Sequence, residues 1–90
     1  MVFLGKIIQY HKEEIRRRDN YTCQKCFRLQ EEELQEYNQK LAIHHIDYNK
    51  KNCEKINFIT LCCKCNAKAN FKKNYWILYF TNLINLLDWT

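Results

Sequence analysis

Proline is absent from this chain and glycine occurs only once. Together with an aromatic content of 14%, this composition argues against a disordered polypeptide. No internal repeat, low-complexity tract or linker divides the sequence, so its 90 residues predict a single domain, 1–90. Few apolar residues precede Lys6 and no small-residue cleavage site follows. We therefore expect no secretory signal, and a cytoplasmic or other intracellular reducing compartment.

The sequence also lacks a membrane-spanning segment. Its longest apolar stretch, from Tyr75 to Trp89, is too short to cross a bilayer and is interrupted by polar residues such as Asn82. The spacing of the apolar residues predicts a helix from about Ala67 to Leu87. Two interpretations of its surface are open. It packs against the N-terminal helix, or it is exposed as a docking surface for a second copy of the chain (a homodimer) or a partner domain.

The remaining elements follow from local patterns. Apolar periodicity predicts an N-terminal helix over residues 5–18, within a segment 1–20. The acidic stretch 28–40 fits either a short helix or a solvated loop, and its glutamates at positions 31–33 are interpreted as a solvated face. Residues 41–46 and 57–61 are predicted strands, and a polar loop, 47–55, lies between them. The chain is thus expected to belong to the α+β class.

Six cysteines stand in a chain that is too short to bury a large core, and small domains commonly compensate with a structural metal. Four of them form two CxxC pairs, a spacing that lets both thiolates of a pair bind one tetrahedral ion. The sequence therefore predicts one structural zinc on Cys23, Cys26, Cys62 and Cys65. A redox CxxC and buried free thiols are the alternatives. Cys53 and Cys63 are left as free thiols.

Two adjacent histidines, His44 and His45, end the first predicted strand. Neighbouring residues on a strand point to opposite faces, so the two rings are expected to have different tasks. Hydrolysis of a phosphodiester needs such a division, because one group accepts a proton from water and another holds a divalent cation. Ordinary packing or surface exposure of the two rings is the alternative.

The order IHHID, a polar loop, NFITLCCKCN and a helix resembles the HNH endonuclease family, and the resemblance covers about residues 18–79. It implies a small ββα-metal core (the His-Me finger) stapled by the CxxC…CxxC zinc and flanked by N- and C-terminal helices. The core would span 21–74, with a C-terminal helix extension at 75–90. It also implies a nuclease, a hydrolase that cuts DNA, in a setting such as a phage or a mobile element. Homing, packaging, restriction and defence are not distinguished by the fold.

The resemblance assigns roles to individual residues. It implies that His44 binds the catalytic cation and that His45 is the general base. Asn57 would bond the backbone across the loop that carries the base, although a simple turn residue is the alternative. Asn66 would be a metal ligand from the first turn of the helix, and Asn70, one turn further on, a second ligand in some family members. An amide oxygen suits a hard cation, so Mg²⁺ or Mn²⁺ is expected.

The chain carries a net charge of +5, which is compatible with a nucleic-acid partner. Eight cations are predicted to contact DNA phosphates, with a solvated surface as the alternative for each: Arg16, Arg17, Arg18, Lys50, Lys51, Lys68, Lys72 and Lys73. Two other functions were weighed against the endonuclease. They are a non-catalytic, zinc-stapled nucleic-acid-binding module and a protein-interaction module that uses the C-terminal aromatic helix.

Overall fold

The structure is a computed structural model, and it describes residues 11–86. The predicted N-terminal helix is present as α1 over residues 11–18, and the earlier part of that prediction lies outside the described residues. The further elements, in chain order, are α2 (Gln30–Tyr37), β1 (Ala42–His45), a 3₁₀ turn (Lys55–Asn57), β2 (Phe58–Leu61), α3 (Cys63–Lys68) and α4 (Lys73–Asn85). The α+β class predicted from the sequence is therefore confirmed.

The two strands form an antiparallel hairpin in which Ala42 is opposite Leu61 and His45 is opposite Phe58. All four residues of β2 are buried, so the strand is covered on both faces. The polar loop 46–57 joins the two strands. The second strand begins one residue later than predicted because Asn57 ends the 3₁₀ turn.

The hydrophobic core lies between the hairpin, the cysteine segments and α4. Phe80 and Ile84 of α4 pack in the same cluster as Leu41, Ile59 and Leu61. The other face of α4 is exposed at Tyr75, Leu78 and Leu86. The helix therefore has a buried and an exposed face. The buried face packs in the central core, whose cluster contains no described residue of α1, and the use of the exposed face for docking stays a prediction. Within residues 11–86, no helix is both long and apolar enough to cross a membrane.

The continuous helix predicted from about Ala67 to Leu87 is wrong, because α3 ends at Lys68 and α4 begins at Lys73. The C-terminal extension was predicted to begin at residue 75, and α4 begins two residues earlier, at Lys73. The predicted end of the helix, Leu87, lies outside the described residues. The Tyr48 hydroxyl donates to the carbonyl of Ala69, and Lys72 adopts a left-handed conformation with φ 57°. These long-range and backbone features interrupt the helix without a proline or a glycine, which explains why the break could not be predicted from local patterns.

The acidic segment forms a helix, α2, and one of its glutamates is not solvated. Glu33 is fully buried. Its Oε1 accepts a bond from Arg28 Nε at 2.8 Å, and its Oε2 accepts one from the backbone N–H of Cys63 at 2.7 Å. The interpretation of residues 31–33 as a solvated face is therefore wrong for Glu33, which joins α2 to the first residue of α3.

A second buried carboxylate joins α1 to β2. Asp19 accepts two bonds from Arg18, at 2.6 and 2.7 Å, and one from the backbone N–H of Thr60 at 3.0 Å. Arg18 also donates to the carbonyls of Lys55 and Phe58. This network holds the hairpin against the end of α1.

Candidate metal centre and histidine cleft

The four predicted zinc ligands lie together. The Sγ atoms of Cys23, Cys26, Cys62 and Cys65 are all within 4.8 Å of one another, and those of Cys26 and Cys62 are 3.6 Å apart. Thiolates bound tetrahedrally at about 2.3 Å from zinc are about 3.8 Å from each other. The cluster is therefore suited to one structural metal ion, and its all-sulfur donor set fits zinc.

Local structure explains why these four sulfurs converge. Cys23 and Cys26 belong to a tight turn closed by a bond from Phe27 N to the Cys23 carbonyl. Cys62 caps α3, with its Sγ accepting from the N–H of Cys65 at 3.5 Å. A CxxC spacing thus produces one pair in a turn and the other at a helix start.

The electrostatics of the cluster also favour a bound cation. Burial, followed by the neighbouring thiols, raises the pKa of Cys65 well above its usual range, and burial raises that of Cys26. For Cys23, burial is outweighed by backbone N–H groups, which lower the pKa. Four thiolates this close together repel one another, so a positive ion at the centre would stabilise them.

The two remaining cysteines stand outside this cluster. Cys53 is exposed, and Cys63 is half-buried beside Glu33. Both positions agree with the prediction that neither residue is a ligand of the zinc.

A small open cleft of about 160 Å³ lies beside the end of β1. Four residues predicted to form the catalytic site line it: His44, His45, Asn66 and Asn70. Its other lining residues are Ile43, Tyr48 and Lys50. Asn70 was predicted one turn further along the same helix as Asn66, but the helix break places it in a turn after α3. Both nevertheless reach the same cleft.

His44 is almost buried, with 7% of its surface exposed. Its ring packs edge-on against Tyr48 at 4.9 Å and Phe80 at 5.5 Å between centroids. Among the described residues its Nε2 has no hydrogen-bond partner. Burial lowers the pKa of His44 to about 4, helped by His45 and opposed by the Asn66 side chain. The ring is therefore a neutral imidazole at neutral pH, with a nitrogen free to bind a ligand.

His45 has different neighbours, as strand alternation predicts, because its ring packs edge-on against Phe58 at 4.8 Å. Both histidines still line one cleft, since β1 ends there. Burial lowers the pKa of His45, Asp47 opposes that shift, and Lys12 and Lys50 add to it. The uncharged ring, which can accept a proton, is thus favoured.

Asn57 is buried under the loop that follows His45 and does not line the cleft. Its Oδ1 accepts from the backbone N–H of Asp47, and its Nδ2 donates to Asp47 Oδ1 and to the carbonyl of Asn52, each at 3.0 Å. Asn57 therefore bonds across the loop to Asp47 and Asn52, and bonds across this loop are what the resemblance implies. Its effect on catalysis stays a prediction.

Tyr48 was not predicted from the sequence. It lines the cleft, contacts His44 and donates its hydroxyl to the Ala69 carbonyl, which links the loop to the end of α3. Its backbone is left-handed, with φ 62°. A tyrosine in a polar loop carries no motif, so only the three-dimensional contacts reveal it.

The eight predicted DNA-binding cations fall into two groups. Arg16 donates to the Leu41 carbonyl and pairs with Glu13, and Arg18 belongs to the Asp19 network described above. We assign these two mainly to the fold. Lys50 lines the cleft and the Lys73 ammonium is 5.0 Å from the centroid of the Tyr48 ring. The side chains of this second group are exposed: Arg17, Lys50, Lys51, Lys68, Lys72 and Lys73.

Comparison of the chain with protein-family models, with curated proteins and with solved structures found no match. The resemblance to HNH endonucleases therefore depends on the residues themselves.

Proposed function

We propose that this protein is a metal-dependent DNA endonuclease of the HNH type, with its reaction centre in the cleft at the end of β1. The observation that carries the proposal is the buried Nε2 of His44, which has no partner among the described residues. A buried polar atom left unpaired costs about 1–3 kcal/mol, so it points to a ligand. Asn66, whose side chain opposes the fall in the pKa of His44, lines the same cleft, and so does His45.

The residues present fit a divalent cation. The Nε2 of His44 and the side-chain oxygen of Asn66 would hold it, and Asn70 is a further donor at the cleft. An amide oxygen suits Mg²⁺ or Mn²⁺, and the imidazole of His44 also tolerates softer ions. When bound, such a cation would polarise a phosphate oxygen and stabilise the leaving 3′ oxygen.

His45 would supply the base. Its ring is partly exposed at the cleft and its neutral form is favoured, so it can accept a proton from a water that attacks the phosphorus. Lys50, also at the cleft, would attract the phosphate. Asn57 would keep the loop after His45 in one conformation through its bonds to Asp47 and Asn52.

The deciding experiment measures nicking of supercoiled plasmid DNA in Mg²⁺ or Mn²⁺. The wild type is compared with His45→Ala, and His11→Ala is the matched control because that histidine lies on α1 and not at the cleft. We expect His45→Ala to lose at least a hundredfold in rate, the lower end of about 10²–10⁴ for general base catalysis, and His11→Ala to match the wild type.

A protein that binds DNA without cutting it would favour the nucleic-acid-binding module that the sequence also allows. If the wild type and His45→Ala bind DNA equally well and neither nicks it in either metal, the endonuclease proposal is refuted. A non-catalytic, zinc-stapled nucleic-acid-binding module would then be the better description. Circular dichroism and zinc content, measured for each variant, separate a loss of catalysis from a loss of fold.

A further inference from the structure

The exposed face of α4 and the bend before this helix carry aromatic rings beside the cleft. Phe71 is 74% exposed and stands directly after Asn70, which lines the cleft. Tyr75 is 57% exposed, and its ring is stacked with that of Tyr79 at 6.2 Å between centroids and 28° between planes. One turn of helix separates these tyrosines, so Tyr79, which is half-buried against the core, continues the row of rings along α4.

Lysines border this row of rings. The described helix, Lys73–Asn85, contains no aspartate or glutamate. The exposed Lys72 and Lys73 stand at its beginning. Further along, the Lys25 ammonium is 5.9 Å from the centroid of the Tyr79 ring and 6.0 Å from that of Trp76. The aromatic row is thus bordered by cations, with no carboxylate on the helix to repel a phosphate.

We propose that Phe71 and Tyr75, continued by Tyr79, form a stacking track for an unpaired stretch of DNA that leaves the cleft. Proteins bind single strands with stacked aromatic rings and a positively charged path for the backbone, and both are present here. The choice of DNA rests on the proposed function. A paired duplex hides its base faces, so the track would favour a substrate with a single-stranded segment near the cut.

A second copy of this chain is the competing occupant of the face. It would be held by the whole apolar surface, including Leu78, which is 64% exposed and next to the tyrosines along the helix. The lysines favour the nucleic acid, because two copies brought together here would repel each other through like charges, while phosphates would be attracted. Leu78 therefore distinguishes the two occupants, since its side chain cannot stack on a base as an aromatic ring does.

The test is fluorescence anisotropy with a labelled single-stranded thymidine oligonucleotide and with a duplex of the same length, without a divalent cation. We expect Tyr75→Ala and Phe71→Ala each to weaken single-strand binding about fivefold or more, the lower end of the range for one stacked base. Tyr75→Phe should restore wild-type affinity because the ring remains. Leu78→Ala should bind as the wild type does, and duplex affinity should change less than twofold in all variants.

Two results would overturn the track. One is single-strand affinity that is unchanged in both Tyr75→Ala and Phe71→Ala. The other is a dimer in sedimentation velocity that Leu78→Ala dissociates. Because the assay needs no cleavage, its failure is distinct from that of the proposed function. Full plasmid nicking together with single-strand affinity that is unchanged in Tyr75→Ala and Phe71→Ala refutes the track alone. Tyr75-dependent strand binding without nicking supports the track and refutes the endonuclease alone.

Discussion

Replacing the buried Glu33 by alanine should destabilise the protein severely, although this residue belongs to a run of three glutamates. The substitution removes two charge-assisted hydrogen bonds, one from Arg28 and one from the N–H of Cys63. Bonds to a charged group contribute about 1.5–3 kcal/mol each. Arg28 keeps a partner in Glu36 and another in the Glu32 carbonyl, so its charge is not left unpaired. We therefore expect a loss of about 3 kcal/mol, the lower end of the sum for two such bonds.

That loss is a large fraction of the about 5–15 kcal/mol by which a domain of this size is stable. It can be measured by urea unfolding of the zinc-loaded protein at a fixed zinc concentration, followed by circular dichroism. Glu31→Ala is the matched control, because Glu31 is exposed on the same helix. Glu33→Gln should lie between the two, since it keeps an acceptor but not the charge. A Glu33→Ala variant within 0.5 kcal/mol of Glu31→Ala, about the limit for surface substitutions, would refute this account of how α2 and α3 are joined.

Two other predictions concern the four-cysteine cluster and the turn that carries Cys23 and Cys26. Metal analysis should find about one zinc per chain, and Cys65→Ser should lose both the zinc and the circular dichroism signal of the fold, whereas Cys53→Ser keeps both. A folded protein without metal would contradict the site. Phe27 follows the first pair with φ 68° and is 73% exposed, so its side chain costs about 1–2 kcal/mol of left-handed strain and buries little. Phe27→Gly should therefore raise the midpoint of urea unfolding, and a lowered midpoint would show that the ring has a stabilising contact.

Short-range patterns were enough for the parts of the fold that depend on neighbours in the chain. Each CxxC pair converges because a turn, or the first turn of a helix, brings residues three positions apart close together. The pairs are Cys23 with Cys26 and Cys62 with Cys65. The two short apolar runs form the strands of the hairpin, β1 and β2, because both contain β-branched or aromatic residues and a polar loop separates them. The histidines at the end of β1 were singled out as a candidate site by the resemblance of IHHID and NFITLCCKCN to the HNH family.

Long-range contacts decided what local patterns leave open. Glu33 is buried and Glu31 is exposed because only Glu33 faces Cys63, thirty residues away. Arg18 differs from the exposed Arg17 because it meets carbonyls of the hairpin about 40 residues along the chain.

The sequence by itself determined the two cysteine pairs, and the two strands to within one residue at each end, because each depends on spacing within a few residues. Only the tertiary structure decided that the Tyr48 hydroxyl bonds to the Ala69 carbonyl at the end of α3, and that α4 is a separate helix. It also brought Asn66 and Asn70 to the same cleft as His44. Such outcomes depend on which distant groups can pair when the chain is compact, and a hydrogen bond between distant residues leaves no periodicity in the sequence.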